Sequence, residues 1–324
     1  MTESAIEIGL IRLEPLYMER VWGGRELASR YGRDLPHAEV PYGESWEIVD
    51  RQDEQSVVRG GYFDGLTLHE LWTAHRGKVF GTGAPVSERF PLLIKILDAR
   101  DTLSLQVHPP VSEAAALGGE PKTEMWVIAG AEPGACLYAG VNPGTTPESF
   151  AAALEDGTVA SLVPQLPVSE GDFIFIPSGR LHAIGAGLLI FEIQQNSDTT
   201  YRVFDWNRMG LDGKPRTLHV EESLRCIDFT DAAPALGSGQ ADGLLAACPY
   251  FAVHRRMAAA GALASLGTEG EFVMPGVLSG SLGAGAESLQ PGDWALMPAG
   301  AGETHRRVTA GPQGAVWLEV RFGS

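Results

Sequence analysis

Four side chains that could bind a divalent cation lie on three predicted strands. Gln106 and His108 are two residues apart in an alternating run, so on a strand they point to the same face. Glu124 lies in a second apolar run, and His182 follows a Pro-x-Gly turn. A metal site needs three or four such ligands that converge from different strands. The spacing therefore predicts a metal site formed by Gln106, His108, Glu124 and His182.

This ligand set favours a particular cation. Two imidazoles and a carboxylate, with the Gln106 amide oxygen as a weak fourth ligand, suit Zn²⁺ and leave room for water or a substrate oxygen. We expect one Zn²⁺ per chain, and the ligand types leave Mn²⁺, Fe²⁺ and Ni²⁺ as open alternatives. The other histidines have no such partners in sequence, so we assign them to surface, helix or packing roles.

An internal repeat predicts the architecture. Residues 171–182, GDFIFIPSGRLH, resemble residues 292–305, GDWALMPAGAGETH, because each has Gly-Asp, an apolar run, Pro-x-Gly and a His. The first copy resembles the second motif of the cupin family, G-x5-P-x-G-x2-H, with Ala186 where an Asn is usual. In the second copy, His305 comes two residues later than in the motif. The resemblance implies a mainly β protein with two cupin-type, jelly-roll-like barrels, of which only the first binds metal.

Length and local patterning predict how the chain is divided. A chain of 324 residues is long enough for about two domains. The small, turn-rich segment 230–243 is the best linker candidate, so we expect a catalytic domain with helical insertions at 1–229 and a degenerate barrel at 230–324. Periodicity predicts helices at 66–81, 146–157 and 217–229, and strands at 91–99, 102–109, 122–130, within 171–206 and beyond 243.

Charge and composition exclude several classes of partner. The chain has 24 basic and 41 acidic residues, a net charge of −17, whereas nucleic acids and anionic membranes require a basic surface. A small anionic ligand is still compatible if the site inverts the charge locally. Three widely spaced cysteines, no basic leader and no long apolar segment predict a soluble, cytoplasmic protein with reduced thiols. We expect a monomer or a small homo-oligomer.

Four ordered segments resemble the signature sequences of one enzyme family. LSLQVHP, PKTEMWVI, IPSGRLHAIG and EIQQNSDTTYRVFDW are similar to segments of the type I mannose-6-phosphate isomerases (phosphomannose isomerases) in their short bacterial form. The motifs cover roughly residues 10–225. The resemblance implies that the four ligands named above bind zinc. It also implies a sugar-phosphate substrate, with interconversion of mannose 6-phosphate and fructose 6-phosphate.

The resemblance also implies three catalytic residues. Lys122 matches an active-site lysine, and Glu192 and Arg202 match an acidic residue and an arginine near the substrate. Aldose–ketose isomerisation moves a proton between C2 and C1 through an enediol(ate), so it needs a base and an electrophile. A bound cation would lower the pKa of Lys122 and make it a candidate base, while Glu192 and Asp198 are the carboxylate alternatives. Arg202 can stabilise the enediolate.

Further residues are expected to bind the substrate. Lys95 and Ser104 match residues that line the sugar-phosphate pocket of the family. Asp198 is assigned to the same pocket. Arg208 stands where longer members of the family have a lysine that is implicated in binding the phosphate end. The resemblance thus implies a locally positive pocket in an acidic protein.

Two other functions fit parts of the pattern. A regulatory cupin that binds a sugar phosphate would need Lys95 and Ser104 but neither Glu124 nor Lys122. A metal-dependent cupin oxygenase usually has an H-x-H ligand pair and an apolar pocket, whereas Gln106 stands in place of the first His. The isomerase therefore accounts for more of the residues than either alternative.

Overall fold

β-Strands are the main secondary structure of the protein. The computed structural model describes residues 8–232, 234–238 and 241–323. The strands of this part are β1 (Ile11–Leu13), β2 (Leu16–Gly24), β3 (Tyr42–Ile48), β4 (Val58–Arg59), β5 (Leu92–Ala99), β6 (Leu105–Val107), β7 (Glu124–Ala131), β8 (Cys136–Ala139), β9 (Gln165–Pro167), β10 (Phe173–Ile176), β11 (His182–Ile184), β12 (Leu188–Gln195), β13 (Tyr201–Phe204), β14 (Gly243–Ala247), β15 (Phe251–Ala258), β16 (Leu263–Ser265), β17 (Met274–Ala284), β18 (Glu287–Leu289), β19 (Ala295–Leu296) and β20 (Arg307–Phe322).

Short helices connect these strands. They are α1 (Glu26–Ser29), α2 (Leu68–Ala74), α3 (Arg76–Val79), α4 (Val111–Ala114), α5 (Pro147–Glu155), α6 (Val220–Cys226) and α7 (Glu303–Arg306), with 3-10 turns at Ala115–Leu117 and Val159–Leu162. The predicted mainly β fold with a few short helices is confirmed. Among the described residues, no helix is long and apolar enough to cross a membrane.

The first predicted helix, at 66–81, is present as two helices. Thr67 accepts a hydrogen bond from the backbone N–H of Glu70 at 3.1 Å, and the Glu70 carboxylate accepts the N–H of Thr67 at 2.8 Å. This reciprocal capping box starts α2. His75 ends α2 and precedes α3, so the helical run is interrupted there.

The remaining predicted elements are also present. The strands predicted at 91–99, 102–109 and 122–130 correspond to β5, β6 and β7, and the helices at 146–157 and 217–229 correspond to α5 and α6. Strand β6 has only three residues. Pro109 and Pro110 follow it closely, and proline has no N–H for a strand ladder. Lys122 precedes β7 rather than lying within it.

One of two compact units comprises Tyr17–Ser45 and Lys95–Gly239 and holds the predicted site. It contains most of a six-stranded sheet, in the order β10-β7-β12-β5-β2-β3, and a five-stranded sheet, in the order β13-β6-β11-β8-β9. Apolar residues from both sheets form one core, which includes Trp126 from β7 and Leu137 from β8. On the other face of the five-stranded sheet, Leu105 and Val107 pack in a second apolar cluster with Phe150 of α5.

The other unit comprises Met1–Leu16, Trp46–Ile94 and Gln240–Ser324. Its sheets are a three-stranded one, in the order β19-β1-β4, and a six-stranded one, in which β14-β15-β20-β17-β18 follow in order and β16 pairs with β20. Val277 of β17 and Trp317 of β20 lie in its apolar core. The predicted boundary between residues 229 and 230, and the closure of two cupin barrels, stay predictions.

The two copies of the sequence repeat begin with the same turn. Gly171 has a φ angle of +95° and Gly292 one of +88°, in the left-handed region that favours glycine. The following carboxylates, Asp172 and Asp293, each accept the backbone N–H of the residue three positions earlier, at 2.8 and 2.9 Å. This shared geometry supports the interpretation of a structural repeat.

The copies differ after their Pro-x-Gly turns. His182 is the first residue of strand β11, where it is buried. His305 lies instead in the short helix α7. The two extra residues before His305 are thus accommodated as a helical turn, and this histidine has no position equivalent to that of His182.

The capping box of α2 provides a stability test. We expect Thr67→Ala to lower the free energy of unfolding by about 1 kcal/mol, because the first turn loses its side-chain acceptor. Urea denaturation monitored by circular dichroism would measure the change. Thr73→Ala, an exposed threonine in the same helix, is the matched control and should change it by less than about 0.5 kcal/mol. Equal effects of the two substitutions would contradict the assigned cap.

Candidate metal centre and adjoining cavity

Strands of the five-stranded and the six-stranded sheet position the predicted ligands, all of which belong to the unit Tyr17–Ser45 and Lys95–Gly239. Gln106 in β6 pairs with His182, the first residue of β11, in the five-stranded sheet. Glu124 is the first residue of β7 in the six-stranded sheet. Leu105 and Val107 pack in the core that includes α5, and side chains alternate along a strand, so Gln106 points to the opposite face. The predicted ligands therefore meet between the two sheets.

His108, Glu124 and His182 form a buried cluster. The Nε2 atoms of His108 and His182 each lie 3.5 Å from Oε1 of Glu124. One ligand atom from each of the three residues lies within 4.8 Å of the others, and no member is more than 1% exposed. In the part of the chain that the structure describes, this is the one group of three His, Cys, Asp or Glu residues suited to hold a metal ion. The Gln106 amide nitrogen lies 3.3 Å from Nε2 of His182.

Backbone carbonyls orient both imidazoles. Nδ1 of His108 lies 2.8 Å from the Thr199 carbonyl oxygen, and Nδ1 of His182 lies 2.9 Å from that of Arg180. A carbonyl oxygen only accepts, so Nδ1 carries the proton and the Nε2 lone pair faces the cluster. Burial lowers the pKa of both rings, that of His182 to about 3. Both imidazoles are therefore neutral at pH 7, as metal ligands must be.

Glu124 tests whether these residues fit a metal ion. Both of its carboxylate oxygens are buried without a hydrogen bond of normal geometry from the described residues, although the Lys122 ammonium lies 2.6 Å from Oε2. Burial raises the pKa of Glu124, but the nearby Lys122 ammonium outweighs burial and holds it well below the usual range. An ionised oxygen that faces two imidazole lone pairs is favourable only when a cation compensates it. The donor set thus fits a divalent cation.

A cavity of about 380 Å³ opens beside the cluster. Its wall consists mainly of charged and polar side chains: Arg20, Glu44, Lys95, Ser104, Gln106, Lys122, Glu192, Asp198, Thr200, Arg202, Arg216 and His219. Gln106 and Lys122 belong to the wall and also contact the buried cluster. A small molecule in this cavity would therefore lie next to the predicted metal ligands.

A buried carboxylate lies between two lysines of this wall. Glu192 Oε1 is 3.6 Å from Nζ of Lys95 and 3.8 Å from Nζ of Lys122, and Oε2 accepts a hydrogen bond from the Trp126 indole at 2.9 Å. Burial and the neighbouring Glu124 charge raise the pKa of Glu192 to about 7, against the opposing effect of the lysines. Glu192 is therefore able to take up and release a proton near neutral pH.

The lysine beside the metal ligands is held as an ammonium. Burial lowers the pKa of Lys122, but Glu124 and Glu192 outweigh burial and raise it above its ordinary value. The sequence predicts a lowered pKa for Lys122 only through the effect of a bound cation. The groups of the chain itself act in the opposite direction, because two carboxylates face this ammonium.

Arginines occupy another part of the wall. Arg202 donates from Nε to the Ser104 hydroxyl at 3.3 Å and from Nη1 to the Thr217 carbonyl at 2.9 Å. Arg216 forms a bidentate pair with the carboxylate of Asp205, at 2.7 and 2.5 Å. Burial raises the pKa of Asp205, but its hydrogen bonds with the arginines outweigh burial and lower it. This carboxylate is therefore ionised.

Most residues predicted from the sequence meet at this one location. The cavity wall or the adjoining cluster includes Lys95, Ser104, Gln106, His108, Lys122, Glu124, His182, Glu192, Asp198 and Arg202. Arg208 is not in the wall, since its guanidinium donates to the Thr102 carbonyl at 2.6 Å and to Asp205 at 2.7 Å. Its predicted contact with the substrate stays untested.

Sequence reasoning missed five polar residues of the wall: Arg20, Glu44, Thr200, Arg216 and His219. Arg20 and Glu44 form an ion pair at 3.0 Å and come from β2 and β3, far from the recognised motifs. Arg216 and His219 follow the last motif by ten residues or more. The one sequence feature that could have drawn attention to Arg216 is its position just before the predicted helix at 217–229. This position alone does not assign Arg216 a role.

Comparison with known proteins gives a consistent result. A family model described as phosphomannose isomerase type I, catalytic domain, matches residues 10–121. The chain is 38% identical to mannose-6-phosphate isomerase ManA of Bacillus subtilis, over 90% of this chain and 93% of the relative. It is 35% identical to the mannose-6-phosphate isomerase of Streptococcus mutans, over 88% and 92% of the two chains.

A solved structure agrees with these matches. The crystal structure of mannose 6-phosphate isomerase from Bacillus subtilis superposes with a TM-score of 0.80 at 30% sequence identity. The superposition covers 97% of this chain and 99% of the other. The similarity thus extends through nearly the whole chain rather than only through the part that carries the cluster.

Removal of a ligand provides a direct test of the metal centre. We expect His182→Ala and Glu124→Gln to weaken metal binding strongly, because each removes a ligand. Changing a residue that only hydrogen-bonds to a ligand typically weakens metal binding roughly 10- to 100-fold, and we expect a larger effect here. Metal analysis of the purified variants after dialysis would measure the loss. His37→Ala, which changes an exposed histidine, is the matched control and should retain the metal. Full metal content in either ligand variant would refute the assignment.

Proposed function

The chain belongs to the type I phosphomannose isomerase family, and from this premise we propose that it interconverts mannose 6-phosphate and fructose 6-phosphate through an enediol(ate). The observation that carries the proposal is the buried His108, Glu124 and His182 cluster beside a cavity lined by cations and by Glu192. This reaction on a sugar phosphate requires a metal-ligand cluster, a titratable carboxylate and positively charged side chains.

We infer that one Zn²⁺ per chain is the cofactor. Gln106, His108, Glu124 and His182 would hold it, with Mn²⁺, Fe²⁺ or Ni²⁺ as alternatives that the same donors accept. When bound, such a cation supplies Lewis-acid polarisation of a sugar oxygen. The Gln106 amide can present its oxygen to the cluster by turning about its last side-chain bond.

We propose that Glu192 carries the proton and that Lys122 acts beside it as an ammonium. The Glu192 carboxylate takes the proton from C2 of the aldose, C1 and C2 become double-bonded, and O1 becomes negative. The proton on O2 then passes to O1, Glu192 returns its proton to C1, and O2 becomes the ketone oxygen. The pKa of Glu192, about 7, suits both directions of this transfer. The Lys122 ammonium, 3.8 Å away, stabilises its ionised form.

Other residues of the wall orient and stabilise the sugar. Arg202, with one guanidinium nitrogen on Ser104, is proposed to stabilise the negative oxygen of the enediolate. Lys95, Ser104 and Asp198 are proposed to bind sugar hydroxyls. All of these groups lie within residues 1–229, which supports the proposal that this part of the chain carries the chemistry and that 230–324 is structural.

We further propose that the enzyme works in the cytoplasm as a monomer or small homo-oligomer. Cys136, Cys226 and Cys248 are free thiols. Unpaired, widely separated cysteines are typical of proteins from reducing compartments. The sugar phosphate is the proposed partner.

A coupled assay tests the reaction. The purified protein should convert fructose 6-phosphate into mannose 6-phosphate, lose this activity on treatment with a chelator, and regain it on addition of Zn²⁺. Metal analysis of the same samples should show that activity follows metal content. A metal-loaded protein that converts neither mannose 6-phosphate nor a related hexose phosphate would refute the proposal.

Arg202 provides a test of the mechanism. We expect Arg202→Ala to lower kcat by roughly 10²- to 10³-fold, the usual effect of removing one donor that stabilises a developing oxyanion. Metal content should be unchanged, because the guanidinium bonds Ser104 and not a metal ligand. Arg225→Ala, which removes an exposed arginine paired with Glu113, is the control. A near-normal kcat in Arg202→Ala would overturn the assigned role.

A further inference from the structure

The positive charge of the cavity wall is not evenly compensated. Four of its five lysine and arginine side chains pair with carboxylates: Arg20 with Glu44 at 3.0 Å, Lys95 with Glu192 at 3.6 Å, Lys122 with Glu124 at 2.6 Å and Arg216 with Asp205 at 2.5 Å. Arg202 forms no ion pair with the described residues, and Arg216 shares the Asp205 carboxylate with Arg208, whose one further carboxylate partner in this part of the chain is the exposed Asp101 at 3.5 Å. The excess of positive charge is therefore concentrated at these arginines.

Two guanidinium nitrogens at this location remain open to a ligand. Arg216 uses Nε and Nη2 for Asp205, and its Nη1 has no hydrogen bond to the described residues. Arg202 uses Nε for Ser104 and Nη1 for Thr217, and its Nη2 is likewise open within the described chain. Neighbouring guanidinium N–H groups in fixed orientations match the oxygens of a phosphate group.

The position of Arg216 suits the far end of a sugar phosphate. The Ser104 hydroxyl lies 3.2 Å from Oε1 of Gln106 and 3.3 Å from Nε of Arg202. Ser104 thus links Arg202 to the predicted metal ligands, whereas the hydrogen bonds of Arg216 to the described residues go to Asp205 instead. A hexose 6-phosphate has its reacting carbons and its phosphate at opposite ends of the carbon chain. The cavity can therefore contact both ends of one molecule.

Arg208, the arginine predicted from the sequence, does not have this freedom. Its Nη1 and Nη2 are hydrogen-bonded to the Thr102 carbonyl and to Asp205, and it is not part of the cavity wall. Trp206 and Asn207, both with a φ angle of +56°, turn the backbone so that Arg208 faces back to Asp205. Arg208 thus acts as a positioning residue for the carboxylate that orients Arg216.

We propose that Arg216, held by Asp205 and adjacent to Arg202, binds the phosphate group of the substrate and sets the preference for phosphorylated sugars. This inference rests on the proposed function. The bidentate contact with Asp205 fixes the guanidinium plane before the substrate arrives, so binding does not have to order a long side chain. Arg216 acts far from the reacting carbons and contributes to binding in the ground state and the transition state alike.

The test compares Arg216→Gln with the unchanged enzyme in its metal-loaded form. KM for mannose 6-phosphate should rise roughly 10- to 100-fold, as expected for loss of a charge-assisted hydrogen bond, while kcat stays close to that of the unchanged enzyme. Competitive inhibition by inorganic phosphate should weaken by a similar factor. Arg216→Lys should recover part of the loss. Arg225→Gln is the matched control, and metal content and thermal unfolding of each variant check that the fold is retained.

The outcomes separate this inference from the proposed function. An active enzyme whose KM and phosphate inhibition are unchanged in Arg216→Gln would overturn the inference and leave the isomerase proposal intact. The protein without substitutions could also show no isomerase activity but still bind mannose 6-phosphate in calorimetry, with weaker binding in Arg216→Gln. That result would refute the proposed reaction and support the phosphate contact. A loss of kcat with KM unchanged in Arg216→Gln would assign the residue to catalysis and contradict the inference.

Discussion

The ionised carboxylate of Glu124, buried between two sheets, is the constraint on which the site depends. An uncompensated buried charge costs several kcal/mol, so its surroundings must supply positive charge or a cation. The chain supplies Lys122 and directs the lone pairs of two imidazoles to the same point. This convergence requires that β6, β7 and β11 have a fixed register, because a shift by one residue would turn each side chain to the other face.

The same requirement explains why the sequence could predict that the residues of this cluster lie together. Gln106 and His108 follow the period of a strand, and His182 follows a recognisable turn, so local rules were sufficient. Strand and helix types were predictable for the same reason, as the capping box at Thr67 illustrates. The break at His75 was not predictable, since the apolar periodicity continues through it.

The remainder of the cavity depends on contacts that have no local pattern. Arg216 reaches the wall because the chain turns back after Asp205 and the two side chains pair. Nothing in the sequence distinguishes it from Arg208, which is nearer to the motif but is bound elsewhere. Likewise Glu44 becomes a wall residue only through the order of β5, β2 and β3 in the sheet. Residues that are brought together by sheet order or by a returning loop can be identified only from the three-dimensional structure.

The uneven charge of the molecule also bears on how an anionic ligand arrives. With a net charge of −17, the protein repels an approaching sugar phosphate at long range, whereas the open arginines attract it only within the cavity. Dissolved salt screens the distant repulsion more than the short contacts, because the Debye length at physiological ionic strength is about 8 Å. Encounter should consequently become faster, rather than slower, as ionic strength increases from very low values. Salt thereby changes the rate of capture in the opposite direction to that in an enzyme that attracts its substrate from a distance.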